Sequence, residues 1–192
     1  MLVLILGLVL FLGVHSVGIF AGPWRTRMIK RLGEGPWKGL YSLASLAGFV
    51  LIIVGYGLTR QAPVDLWTPP TGLKHLATLL TVPAFVLLVA AYVPRNGIKA
   101  KLRHPMVLGT KLWAFAHLLA NGRLGDVALF GAFLLWAILE FRALRQRDRA
   151  EGKTYGNGSA GATMAAVAAG LAAWAAFAFW AHGAWIGVRP FG

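Results

Sequence analysis

Cysteine is absent from the 192 residues. Its absence excludes disulfides, thiolate metal sites, iron–sulfur clusters and covalent Cys-x-x-Cys-His haem attachment. Acidic residues are nearly as scarce: six Asp and Glu stand against 19 Lys and Arg, for a net charge of +13. All six fall in loops or at the ends of apolar stretches, which argues against a buried carboxylate pair and against a proton relay built from acids. Charged residues of both signs reach only 13%, about half of what a soluble domain carries. Also missing are the Gly-x-Ser-x-Gly, P-loop, His-Glu-x-x-His and dinucleotide-binding patterns of soluble enzymes. A basic excess can mark a nucleic-acid binder, but no basic stretch here carries a recognition motif. In an apolar chain the same excess marks loops held at an anionic membrane face.

Apolar residues are what the chain does have, at 58%. A helix needs about 20 mainly apolar residues to cross a hydrocarbon core. Six stretches approach this: residues 1–22, 40–58, 76–93, 105–119, 127–139 and 162–188. The expected fold is therefore an all-α, polytopic integral membrane helical bundle of six transmembrane helices, forming one domain over residues 1–192. The fourth and fifth stretches are short, and would complete a crossing with Arg103, Lys111 and Arg123 as snorkelling ends. No basic residue precedes the apolar core of the first stretch, and the first cation, Arg25, follows it. A secretory signal has the reverse order, so this stretch reads as a retained helix.

Lys and Arg set the orientation. The first loop holds Arg25, Arg27, Lys30, Arg31 and Lys38, the third Arg95, Lys99, Lys101 and Arg103, and the fifth Arg142, Arg145, Arg147, Arg149 and Lys153. The second loop holds Arg60 and Lys74, the fourth Arg123 and the tail Arg189. Odd loops are thus expected in the cytoplasm and both termini outside. Trp24 and Trp37 fall near the inner interface, Trp67 and Trp185 near the outer one, as aromatic belts prefer. Gly18 and Gly22 in the first stretch, and Gly161, Ala165, Ala169 and Ala173 in the sixth, have the four-residue spacing of close helix contacts. Residues 151–161 are rich in Gly and Ser and read as a flexible connector. Glu140, at the inner end of the fifth stretch, should pair with a cation, with Arg103 and Arg142 placed for it.

Five histidines remain: His15, His75, His104, His117 and His182. An ionisable side chain inside a membrane is costly, and is by default a functional candidate. His15 and His117 lie inside apolar stretches, His75 and His182 near outer ends. His104 stands directly before Pro105, as the boundary of a helix that Pro105 would start. By the helical rise, His117 is about 18 Å and His15 about 10 Å from the inner side. Given the uncertainty of helix ends, the two could meet at one buried group. Two neutral imidazoles from different helices are a common way to hold haem iron. They could equally hydrogen-bond to neighbouring helices. His15 is followed by Gly18 and Gly22 on its own face. His117 shares a stripe with Thr110, Trp113 and Asn121, polar groups able to orient an imidazole through its second nitrogen.

Two blocks carry a resemblance. Phe11-Leu12-Gly13-Val14-His15-Ser16 forms the first. Arg103-His104-Pro105, running on through Leu112 to His117-Leu118-Leu119-Ala120-Asn121-Gly122, forms the second and more specific one. In these the chain resembles the NnrU-like family of bacterial membrane proteins, and looks like the membrane core of zeta-carotene isomerase. The family takes its name from genes linked to nitrite and nitric oxide reduction, and the isomerase uses a non-covalent haem b to turn a cis double bond trans. The resemblance implies haem b as cofactor, His15 and His117 as iron ligands, His104 as a third cofactor-binding histidine, and a multi-pass location in the bacterial inner membrane. The expected partners are the lipid bilayer, haem and a lipophilic substrate, without nucleic acid. Three readings compete: a haem protein acting as an isomerase or in nitrogen-oxide metabolism, a non-catalytic assembly or interaction factor without cofactor, and a membrane methyltransferase. The last ranks lowest, since the basic loops are too short and simple for a cytosolic cofactor site.

Overall fold

In a bilayer every backbone polar group must be satisfied within the chain, so an apolar sequence of this length resolves into helices. The computed structural model describes residues 1–191, and among them there are eight α-helices and no named strand. They are α1 (Leu2–Phe20), α2 (Gly22–Leu32), α3 (Glu34–Gln61), α4 (Thr71–Ala90), α5 (Gly97–Leu102), α6 (Pro105–Ala120), α7 (Leu124–Ala150) and α8 (Ala160–Ala176). A π-helical stretch, Phe177–Ile186, continues α8. It stops where Gly187 takes a left-handed φ of 75°, a conformation that costs glycine little.

Five segments are long and apolar enough to cross a membrane: α1, α3, α4, α7, and α8 with its π continuation. The all-helical membrane-type fold follows the sequence. One stretch departs clearly from expectation. The fifth, read as 127–139, extends into a helix of 27 residues, so Arg142 to Arg149 stand on its last turns and not in a loop. The fourth remains short, with α6 at 16 residues. The chain divides into two compact units, Met1–Thr68 with Asn121–Glu140, and Pro69–Ala120 with Phe141–Gly192.

In the first unit, α1 and α3 form an antiparallel hairpin joined by α2. Glycine sets its closeness. A Cβ on Gly7 would stand 2.6 Å from the backbone nitrogen of Ile52, one on Gly48 2.7 Å from that of Phe11, and one on Gly55 would overlap that of Leu4. Main chain thus meets main chain at three levels, with Leu4, Leu8 and Ile52 buried beside the contact. Where no hydrophobic effect drives helices together, such close approach supplies the dispersion contacts. The expected pair was different: Gly22 faces open space and belongs to α2. After α3, Val64 and Gly122 accept from Leu124 and Leu66 through the backbone. Asp126 is buried at the start of α7 and accepts a 2.5 Å hydrogen bond from the Tyr56 hydroxyl.

In the second unit α4 is central and packs on both α6 and α8. Gly109 of α6 lies against Ala84 and Leu88 of α4, and Gly170 of α8 against Val86. On α8 the contact row is Ala166 and Gly170, both buried, while Ala165 and Ala169 are exposed. The small-residue stripe was therefore correct in kind and one residue out in register. Trp174 Nε1 donates to Thr81 Oγ1 at 3.0 Å, tying α8 to α4 near the helix-interior Pro83. Asn96, 1% exposed, organises the turn into α5: its side chain caps Lys99 and donates to the carbonyls of Ala90 and Val93. The connector 151–161 is anchored. Lys153 donates to the Asp148 carbonyl, Ser159 to that of Arg95, and the Ser159 hydroxyl caps α8.

Candidate functional site: the histidines and their partners

His15 lies on α1 inside the first unit, where helical phase turns it toward aromatic side chains. Its ring centroid is 4.3 Å from that of Phe11, 5.3 Å from Tyr41 and 6.1 Å from Trp136, the last two in edge-on geometry. Its Nδ1 lies 2.7 Å from the carbonyl oxygen of Phe11, one turn back. A carbonyl can only accept, so Nδ1 carries the proton of this bond. Next to it, the Trp136 indole N–H is buried and has no hydrogen-bond partner among the described residues. A buried donor without an acceptor costs about 1–3 kcal/mol, so it invites a polar atom that the described residues do not supply. One turn further along α7, Oε2 of Glu140 is likewise shut off from solvent.

His117 repeats the arrangement on α6 in the second unit. Its Nδ1 lies 2.9 Å from the carbonyl of Trp113, again four residues back, and the two rings are 5.2 Å apart. The orienting acceptor is thus backbone. Of the neighbours expected on its stripe, Thr110 donates to the Met106 carbonyl on its own helix, and Asn121 follows directly after the helix end.

His104 is built differently. Arg103 takes φ 68° and ψ −52°, and His104 N donates across it to Leu102 O at 2.8 Å. This is a three-residue turn of the positive-φ kind, rare and strained for a residue with a side chain. His104 then precedes Pro105, the first residue of α6, which cannot continue a helix backward. The imidazole reaches the last turns of α7, where its Nε2 donates to Asp148 Oδ2 at 2.8 Å. Tyr155 donates its hydroxyl to the same carboxylate at 3.0 Å. Burial, and then the hydrogen bond to Asp148, push the Tyr155 phenol up from its usual range. The Arg103 guanidinium and the Lys153 ammonium stand 5.6 and 5.5 Å from the Tyr155 ring centroid. Asp148 is 4% exposed and Asp126 5%, so two of the acids at helix ends are buried singly, each with a hydrogen-bond donor of its own.

His75 is exposed, and His182 donates Nδ1–H to the Val188 carbonyl at 2.6 Å within the π-helical end. Among the described residues no three His, Asp or Glu come together as a metal site.

Residues 3–190 match the family described as NnrU protein. The chain belongs to the NnrU family. The match takes in nearly the whole sequence, both units included, and therefore His15, His104 and His117 together. No curated protein and no solved structure matches the chain. Within this NnrU-family chain, sequence reasoning missed Asp148, Tyr155 and Trp136. Asp148 sits among arginines and reads as a solvated charge. Only the fold brings it under His104, 44 residues away. Trp136 had a faint signal, an indole inside an apolar stretch one turn before a carboxylate.

Proposed function

We propose that this NnrU-family membrane protein binds haem b through transmembrane histidines, with His15 and His117 as the iron ligands. One observation carries the reading. Each of the two donates Nδ1–H to the carbonyl four residues back, which fixes the ring and selects the tautomer whose electron pair, in a neutral imidazole, lies on Nε2, the form an iron ligand needs. The residues around His15 fit the group: aromatic rings suit a macrocycle, and the buried Trp136 N–H offers a hydrogen bond to an acceptor. A bound haem would supply redox-active iron, and His15 and His117 would be the residues that hold it. The chain's part is to fix the two rings, keep water away and hold the donor in place. His104 is a supporting residue in this reading. Its Nε2 is committed to Asp148, and it lies thirteen residues from His117 on α6, about 20 Å along the axis.

The accompanying picture is six crossings with both termini outside, in the bacterial inner membrane. The proposed activity is a step in nitrite or nitric oxide metabolism, or haem-dependent cis–trans isomerisation of a lipophilic polyene. The visible spectrum of the detergent-purified protein tests the cofactor. A Soret band with the pattern of two histidine ligands supports it. A protein still colourless after reconstitution with excess haem removes it and leaves the non-catalytic assembly factor.

A further inference from the structure

Helix α2 has no part in the histidine sites. It joins the ends of α1 and α3 that lie together in the antiparallel hairpin, two helices long and apolar enough to cross a membrane. It is 11 residues long and has no fully buried residue. Met28 and Ile29 are half-buried, while Trp24 and Leu32 are 44% and 45% exposed. Trp24, Met28 and Leu32 recur at four-residue spacing and share one face. Arg27, Lys30 and Arg31 form the adjoining stripe. Trp24, Arg27, Met28, Lys30 and Arg31 together line an open hollow of about 430 Å³. The Trp24 ring meets Trp37 of α3 edge-on at 5.7 Å, fixing one wall. No acidic residue occurs on α2, and Glu34, which follows it, is taken by Lys38 at 2.9 Å.

We propose that the α2 hollow is a binding site for the phosphate headgroup of an anionic membrane phospholipid. The cations meet the phosphate, and the apolar face with Trp24 lies along the first acyl carbons. Three observations select a lipid over a free anion. The hollow has an apolar wall, it adjoins the ends of two helices apolar enough to cross a membrane, and its helix is amphipathic with a basic polar side, the composition of an interfacial helix. Charge complementarity fixes the headgroup sign, and a cation near an anionic bilayer surface contributes about fivefold in affinity.

Native mass spectrometry of the purified full chain in detergent tests the site, using short-chain phosphatidylglycerol and phosphatidylcholine. The wild type should bind phosphatidylglycerol at least about tenfold more tightly, and R27Q/K30Q/R31Q should lose that preference. K101Q/R142Q/R149Q removes as many exposed cations elsewhere and should keep it. Single K30Q should weaken it severalfold, which keeps the test intact if the triple variant does not fold. Equal binding of the two lipids by the wild type overturns the proposal. So does an equal loss in the control triple, which would make the preference a matter of total charge. Displacement of the lipid by inorganic phosphate at matched ionic strength would identify a free-anion site and overturn the lipid assignment.

Discussion

His104 Nε2 donates to Asp148 Oδ2 at 2.8 Å, and both side chains are almost sealed, at 11% and 5% exposure. The bond ties the start of α6 to the last turns of α7. With Tyr155 as a second donor, the carboxylate also fastens the connector that follows α7. Three chain segments converge on one pair of oxygens. The strained turn at Arg103 is what aims the imidazole at them, and the surrounding contacts hold it there.

Asp148→Asn should therefore destabilise the protein more than any other single change in this group. An amide oxygen can still accept, but the charge is lost, and the amide N–H₂ stands where a second oxygen accepted. Loss of charge-assisted hydrogen bonds destabilises more than loss of neutral ones. Tyr155→Phe removes one donor and should cost about 1 kcal/mol. Thermal unfolding in detergent gives the ranking, and an Asp148→Asn protein as stable as wild type would show that the carboxylate holds nothing together.

The raised Tyr155 phenol adds a pH dependence. A folded-state value above the unfolded one, about 10, favours the protonated form in the fold. The contribution is complete below the ordinary tyrosine range and is lost as pH rises through the folded value. Wild type should lose stability in alkali more steeply than Tyr155→Phe. Melting temperatures measured from pH 8 upward, in parallel, check this; identical alkaline limbs would remove Tyr155 from the linkage.

The helical class and most helix positions were legible because hydropathy alone decides them. Residues 1–22 and 162–188 agree with α1 and with α8 plus its continuation to within a few residues. The end of α7 was not legible, since Arg142 to Arg149 look like a loop by charge and yet continue the helix on polar turns. Contacts between helices were legible only in type. Gly48 and Gly55 pack because they share a face seven residues apart, a spacing easily passed over beside the more familiar four-residue pattern. His15 and His117 could be chosen from depth, whereas the carbonyls that orient them follow only from side-chain geometry. The Asp148 cluster depends on a pairing across 44 residues that no local pattern encodes.

Glycine substitutions separate close packing from helix propensity. A methyl group at Gly55 would meet the backbone of Leu4, while Gly57, one turn-phase away, faces open space. Gly55→Ala should destabilise by roughly 1–3 kcal/mol, the cost of overpacking. Gly57→Ala should be neutral or stabilising by up to about 1 kcal/mol, since alanine is the better helix former. Equal behaviour of the two variants in thermal unfolding would mean that α1 and α3 do not meet through their main chains.

Loop charge predicts the topology, and the structure tells where to probe it. Because α7 continues to Ala150, a reporter meant for the fifth loop belongs near Gly156. A reporter there should be active only in the cytoplasm, and one fused to the C-terminus only outside. A cytoplasmic C-terminus would mean that one helix fails to cross, with α6, at 16 residues, the first to suspect.

The histidines themselves provide the most discriminating series. If His15 and His117 ligate haem, each acts through Nε2, and removing either leaves the iron one ligand short. His15→Ala and His117→Ala should each lose the cofactor or give a five-coordinate spectrum. Added imidazole should restore the wild-type pattern, because the missing piece is a nitrogen base and not a packing group. His182→Ala should leave the spectrum unchanged, since its ring is tied to Val188 in the C-terminal stretch. His104→Ala should lower the melting temperature through the loss of the Asp148 bond while keeping the Soret position, because the nitrogen that would reach iron is already engaged. Two outcomes would break this assignment. Full haem content in His117→Ala would remove that residue as a ligand. A Soret shift in His104→Ala matching that of His117→Ala would mean that the helix-boundary histidine leaves Asp148 for the iron when haem is present.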